Sequence, residues 1–162
     1  MPYFAAALVQ LSDGWSAREV DMDNVEDLDS LVESLRDSAD GGTALFFLEE
    51  DDEYLAIVRV DGDSDPRTFI SDDRAVGTSN LAALIMEDVT APEEADAEDD
   101  DDEGTRPDAE VAGDADIVAS YGVSAETLVE LCQTEGMLPA DIVTAICEKA
   151  GCVDALDEIR EG

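Results

Sequence analysis

A run of acid divides the chain and limits what can fold on either side of it. Residues 91–116 carry thirteen carboxylates against one arginine, including the unbroken stretch Asp99-Asp100-Asp101-Asp102-Glu103. Like charges at that density repel one another, and the segment holds almost nothing apolar to bury. It therefore reads as an extended, disordered linker. The boundaries that follow are residues 1–90 as a first domain, 91–113 as the acidic linker and 114–162 as a second, smaller module. Acid is not confined to the linker. The 162 residues hold 44 Asp and Glu against 8 Lys and Arg, a net charge of −36. A nucleic-acid binder needs a basic footprint to displace counterions from phosphate, and a polybasic membrane anchor needs the same cations. This chain has too few for either.

In residues 1–90 the elements are marked by changes of period. Tyr3–Leu11 is an apolar run closed by the turn residues Ser12-Asp13-Gly14, and Trp15–Val20 pairs back on it as a hairpin. Val25, Leu28, Leu31, Val32 and Leu35 then recur at three- and four-residue steps, the stripe of an amphipathic helix. Asp23 and Glu26 make a capping-box start for it, and Gly41-Gly42 a stop. Ala44–Leu48 and Tyr54–Val60 read as strands joined by a solvent-facing acidic turn. Asp61–Pro66 is a second turn, Arg67–Ser71 a fifth strand, and Ser79–Met86 a short helix with Leu81, Leu84 and Ile85 inward. The order is β-β-α-β-β-β-α. Tight hairpins require antiparallel pairing, so the expected fold class is α+β: a mostly antiparallel sheet with the first helix on one face.

Residues 114–162 are patterned as short helices. Ala115–Tyr121 ends at Gly122, and Ser124 caps a helix carrying Leu128, Val129, Leu131 and Cys132. Pro139 opens a helix with Ile142, Val143, Ile146 and Cys147, stopped by Gly151. Val153, Leu156 and Ile159 complete the last one. A bundle of this size is near the lower limit for independent folding, so it needs a partner surface or the first domain beside it.

The chemistry available is narrow. There is no histidine, which removes the usual general base, the Ser-His and Cys-His dyads and the commonest metal ligand. Cys132, Cys147 and Cys152 contain no C-x-x-C spacing, and an odd count argues against a disulfide framework, so they read as reduced structural residues. Asp61, Asp63, Asp65 and Asp72 imitate the ligand spacing of a calcium loop. Pro66 stands where that loop needs a glycine, and a hairpin turn is the better reading. Pairs of carboxylates arise by chance among so many acids and identify no acid-base site. No catalytic residue, cofactor or metal is expected. The N-terminus lacks a basic region and its apolar run stops at Gln10, which points to a cytoplasmic protein without a signal peptide.

Several stretches occur in a telling order: Tyr3-Phe4-Ala5-Ala6, Gly14-Trp15-Ser16-Ala17-Arg18-Glu19-Val20, Leu45-Phe46-Phe47-Leu48-Glu49, Val58-Arg59-Val60-Asp61-Gly62, Asp65-Pro66-Arg67 and Pro139-Ala140-Asp141. Together they resemble the actinobacterial family of tRNA adenosine deaminase-associated proteins, across both folded regions. The resemblance implies association with the deaminase that converts adenosine to inosine at the tRNA wobble position, and brings no catalytic residues. The chain is not that enzyme, whose zinc site needs H-x-E and P-C-x-x-C.

The residues expected to meet a partner are Trp15, Phe46, Phe47 and the run Asp99, Asp100, Asp101, Asp102 and Glu103. Trp15 is the one tryptophan and follows a turn, where it serves either hairpin packing or a protein interface. Phe46 and Phe47 are neighbours on a strand and point to opposite faces. One fills the core under the first helix. The other meets a second apolar layer or a protein partner. The acidic run either solvates the linker or docks a basic protein. Arg59, in an apolar strand, is expected on the solvent face beside a carboxylate. The function expected is a non-catalytic accessory protein that contacts a basic partner, the deaminase by resemblance. The alternative is a general acidic interaction or stability protein with another basic partner and no role in tRNA editing.

Overall fold

The structure, a computed structural model, describes residues 3–11, 14–22, 25–39, 42–50, 54–62, 66–72, 80–85, 112–113, 115–134, 136 and 138–161. The acidic run 99–103 and the turn positions Asp63 and Asp65 lie outside them.

The apolar runs form one antiparallel sheet. Strands β1 (Tyr3–Leu11), β2 (Gly14–Glu19), β3 (Thr43–Glu50), β4 (Tyr54–Asp61) and β5 (Arg67–Ile70) are joined by the two-residue β6 (Ala112–Gly113) in the order β2-β1-β3-β4-β5-β6. Each neighbouring pair is antiparallel. The α+β class read from the sequence is what the chain adopts. β1 lies between β2 and β3, which therefore run parallel, and helix α1 (Leu28–Ala39) crosses over β1 to join them. Small side chains at Ala5 and Ala7, on the same face of β1, let the helix come close; Leu28, Leu31, Val32, Leu35 and Ala39 are buried there.

Helix α1 starts later than its stripe suggests. Its first turn is closed by Asp27, whose carboxylate accepts the Ser30 amide at 2.9 Å while its carbonyl accepts the Leu31 amide. Val25 is thus outside the helix, and Asp23 lies outside the described residues. Asp27 out-competes the expected cap because it leaves Leu28 as the first residue aimed at the sheet. Asp27→Ala is expected to lower stability by about 1 kcal/mol, the usual worth of such a cap, in a urea titration.

The second face of the sheet is apolar as well. Ala6 and Leu8 of β1, Leu45 and Phe47 of β3, Leu55 and Ile57 of β4 and Phe69 of β5 form a core with residues from the C-terminal part of the chain. That part comprises a 3-10 segment (Ala115–Tyr121) kinked at Val118, then α3 (Ala125–Gln133), α4 (Pro139–Ala150) and α5 (Val153–Glu161); the short α2 (Asn80–Ile85) lies on the α1 side. The 3-10 segment meets β5, α4 lies across β3 and β4, and α5 covers β1 and β2. The 114–162 helices therefore do not pack only among themselves. Their apolar stripes close the sheet's second face, and the result is helices, sheet, helices in three layers. The local signals are those the sequence carries: Ser124 Oγ accepts the Thr127 amide, Pro139 begins α4, and Gly151 ends it with φ +89°. Ala115–Tyr121, read from the sequence as a short helical segment, is a 3-10 helix interrupted at Val118 with φ −120°.

At the far edge, β6 approaches β5 so closely that a Cβ on Gly113 would collide with the Thr68 carbonyl, and its φ of +93° suits glycine alone. No helix among the described residues is long and apolar enough to cross a membrane.

Candidate functional site

Where β1, β3 and β4 end on the second face, the apolar core gives way to a ring of polar groups. The alternation that places Leu8, Leu45 and Ile57 in that core continues to Gln10, Thr43, Arg59 and Asp61 on the same side of the sheet. Arg59 is the centre. Its Nε lies 3.1 Å from both carboxylate oxygens of Asp61, two residues along the same strand. Its Nη1 donates to the Ile117 carbonyl at 2.9 Å and to Ser120 Oγ at 2.8 Å, both in the 3-10 segment. The guanidinium carbon sits 4.9 Å from the centre of the Tyr121 ring. Thr43 Oγ1 donates to Asp61 at 2.8 Å, and Tyr121 Oη donates to Gln10 Oε1 at 3.1 Å.

Arg59 thus has the carboxylate partner that its place in the strand implied, but it is not a solvent-face residue. Its side chain is 11% exposed and clasps the C-terminal layer to the sheet. A single ammonium has no planar fork to satisfy a carboxylate, a carbonyl and a hydroxyl together, which is why arginine suits this position. Burial pushes the Tyr121 hydroxyl above its usual 10.0, with Arg59 opposing that rise. The Trp15 ring meets Tyr121 edge-on at 5.5 Å and an interplanar angle of 61°, and packs half-buried against the second core. Thr43, Gln10, Ser120 and Tyr121 carried no signal in the sequence, because each joins the ring only through the fold.

The other residues singled out from the sequence fall elsewhere. Phe46 and Phe47 do point to opposite faces, and both are fully buried: Phe46 under α1, Phe47 under the C-terminal helices. Neither offers surface to a partner, because the layer that Phe47 was free to meet is supplied by this chain. Asp99, Asp100, Asp101, Asp102 and Glu103 lie outside the described residues, so nothing places them beside Trp15.

The reactive chemistry near these surfaces is slight. Burial pushes the Cys132 thiol up to about 12, well away from the thiolate that a nucleophile requires. Cys147 and Cys152 are buried and form no disulfide. Among the described residues no three metal-ligating side chains gather. Two surface clefts flank β1 and β2. One, of about 480 Å³, is lined by Tyr3, Ala5, Glu19, Val20 and Asp21; the other, of about 190 Å³, lies beside Ser38 of α1 and includes Val9, Leu11 and Arg18.

Residues 3–153 match the model of a family described as Rv3753c-like tRNA adenosine deaminase-associated protein, and the chain belongs to that family. No curated protein and no solved structure matches it.

Proposed function

From that membership we propose that the chain is a non-catalytic accessory protein that binds the tRNA adenosine deaminase directly and works through protein contact in the cytoplasm. The observation that carries the reading is the family match over nearly the whole chain, joined to a net charge of −36. An enzyme that holds tRNA needs a cationic surface, and a polyanion of this size is drawn to such a surface by long-range attraction. The acidic run Asp99–Glu103 supplies the densest charge and Trp15 a half-buried aromatic, so both are assigned to the contact. The chemistry of the described residues supports recognition better than bond-making: a carboxylate-rich exterior and thiols that are buried or held protonated.

The test is direct. Purified deaminase and this chain are expected to form a nuclease-resistant complex whose affinity falls roughly tenfold between about 50 and 300 mM salt, as screening removes the steering term. Inosine formation on tRNA is expected to change when the chain is added, and the chain alone to form none. No complex at low salt, or stoichiometric recovery of a different basic protein, overturns the reading in favour of a general acidic interaction protein.

A further inference from the structure

The two edges of the sheet are finished differently. At one, β6 pairs with β5. At the other, β2 pairs with β1 and, among the described residues, with nothing beyond it. The Val20 amide donates to the Ala5 carbonyl at 2.9 Å, which marks Ala5 and Val20 as a hydrogen-bonded pair. Antiparallel ladders alternate, so Ala7–Arg18 and Val9–Ser16 are hydrogen-bonded pairs too. The amides and carbonyls of Trp15, Ala17 and Glu19 therefore point away from the sheet, and no described backbone group answers them.

Exposed edges are usually blunted by proline, a bulge or an outstretched charge. β2, Gly14–Glu19, has no proline and pairs with β1 without interruption. Its one cation is folded away: Arg18 reaches back over α1 to Ser34 Oγ at 3.1 Å and Ser38 Oγ at 3.0 Å. The surroundings are anionic. Glu19 is exposed on the strand itself, and the cleft of about 480 Å³ at its end is lined by Tyr3, Ala5, Glu19, Val20 and Asp21. Exposed Glu33 and Asp37 stand on α1, and exposed Asp154, Asp157 and Glu158 on α5, the helix that covers β2.

We propose that the β2 edge is a docking site for an extended cationic segment of a partner protein, which adds to the sheet as a further strand and sets a lysine or arginine in the cleft between Glu19 and Asp21. Charge selects the occupant. A second copy would bring another 36 negative charges to the same edge, and the chain's own acidic segment is repelled for the same reason. The proposal rests on the reading above only in that the partner is basic.

The experiment uses the full chain, nitrogen-15 labelled, and a synthetic peptide of alternating lysine and valine. The amides of Trp15, Ala17 and Glu19 are expected to shift and to gain protection from hydrogen exchange, and a glutamate–valine peptide to do neither. Ala17→Pro removes an outward amide without touching the ladder to β1, so it is expected to weaken binding about tenfold while the thermal midpoint stays within about 3 °C. Should that variant unfold, Glu19→Lys tests the same edge by charge alone and is expected to weaken the peptide in the same direction. Shifts spread over α1, α5 and the acidic segment with no protection at the three amides overturn the proposal, as does undiminished binding by a folded Ala17→Pro together with Glu19→Lys. The deaminase is titrated in parallel. If it fails to bind while the peptide docks on β2, the functional reading falls and the edge stands. If it binds folded Ala17→Pro and Glu19→Lys as it binds wild type, the edge is not its docking site and this proposal falls.

Discussion

Phe47→Ala is expected to lower stability by about 3–5 kcal/mol, the range for removing a fully buried ring, and to loosen the C-terminal helices before the rest of the chain. Phe47 has no exposed surface, and its neighbours in the second core include Ile146 and Leu156 from the far side of the acidic segment. The truncation leaves a cavity bounded by the sheet on one side and short helices on the other. Because α4 and α5 are each held largely by this one apolar face, exchange of their amides is expected to quicken more than that of α1. Phe46→Ala, equally buried but under α1, is expected to cost a similar amount while favouring exchange in α1 instead. Urea titration of both variants with residue-level hydrogen exchange checks the pair. A loss below about 1 kcal/mol for Phe47→Ala would mean that the ring faces solvent or a partner, and that the second layer does not cover it.

Arg59→Met is expected to cost about 2–3 kcal/mol. The methionine keeps much of the stem's packing but leaves the Ile117 carbonyl and Ser120 Oγ without their donor and Asp61 without its cation. A wholly buried orphaned charge would cost about 3–5 kcal/mol. Asp61 is 34% exposed and keeps the Thr43 hydroxyl, so the lower figure applies. Arg59→Lys retains the charge and is expected to recover less than half of the loss, since an ammonium cannot reach carboxylate, carbonyl and hydroxyl at once. Exchange at residues 117–121 is the readout that separates a clasp from ordinary packing: it should quicken in Arg59→Met more than in Asp27→Ala, whose effect belongs to the other face. Equal protection in both would remove the clasp from the account.

Much of the first two layers was legible because its signals are local. The Tyr3–Leu11 strand has the limits its apolar run predicts, and the Ser124, Pro139 and Gly151 signals bound helices where expected. The start of α1 was misplaced because Asp23, Glu26 and Asp27 all suit a cap, and only the sheet beneath chooses among them. The candidate partner residues were less legible. Phe46 and Phe47 carry the aromatic, strand-borne character of an interface, yet interface and core have the same composition. Burial alone tells them apart. Trp15 was visible as a lone aromatic after a turn; its contact with Tyr121 was not. Arg59 was visible as an anomaly in an apolar strand, and its Asp61 partner lies within reach of inspection two residues away.

Sequence alone determined the order of strands and helices, the antiparallel hairpins and the anionic character, because periodicity, turn chemistry and charge act between residues close along the chain. Tertiary structure decided which layer covers which face, that Arg59 closes on residues 58 and 61 positions later, and that Tyr121 reaches a glutamine 111 positions before it. Those contacts cross the acidic segment. An apolar stripe records that it must be buried and carries no record of the surface that buries it.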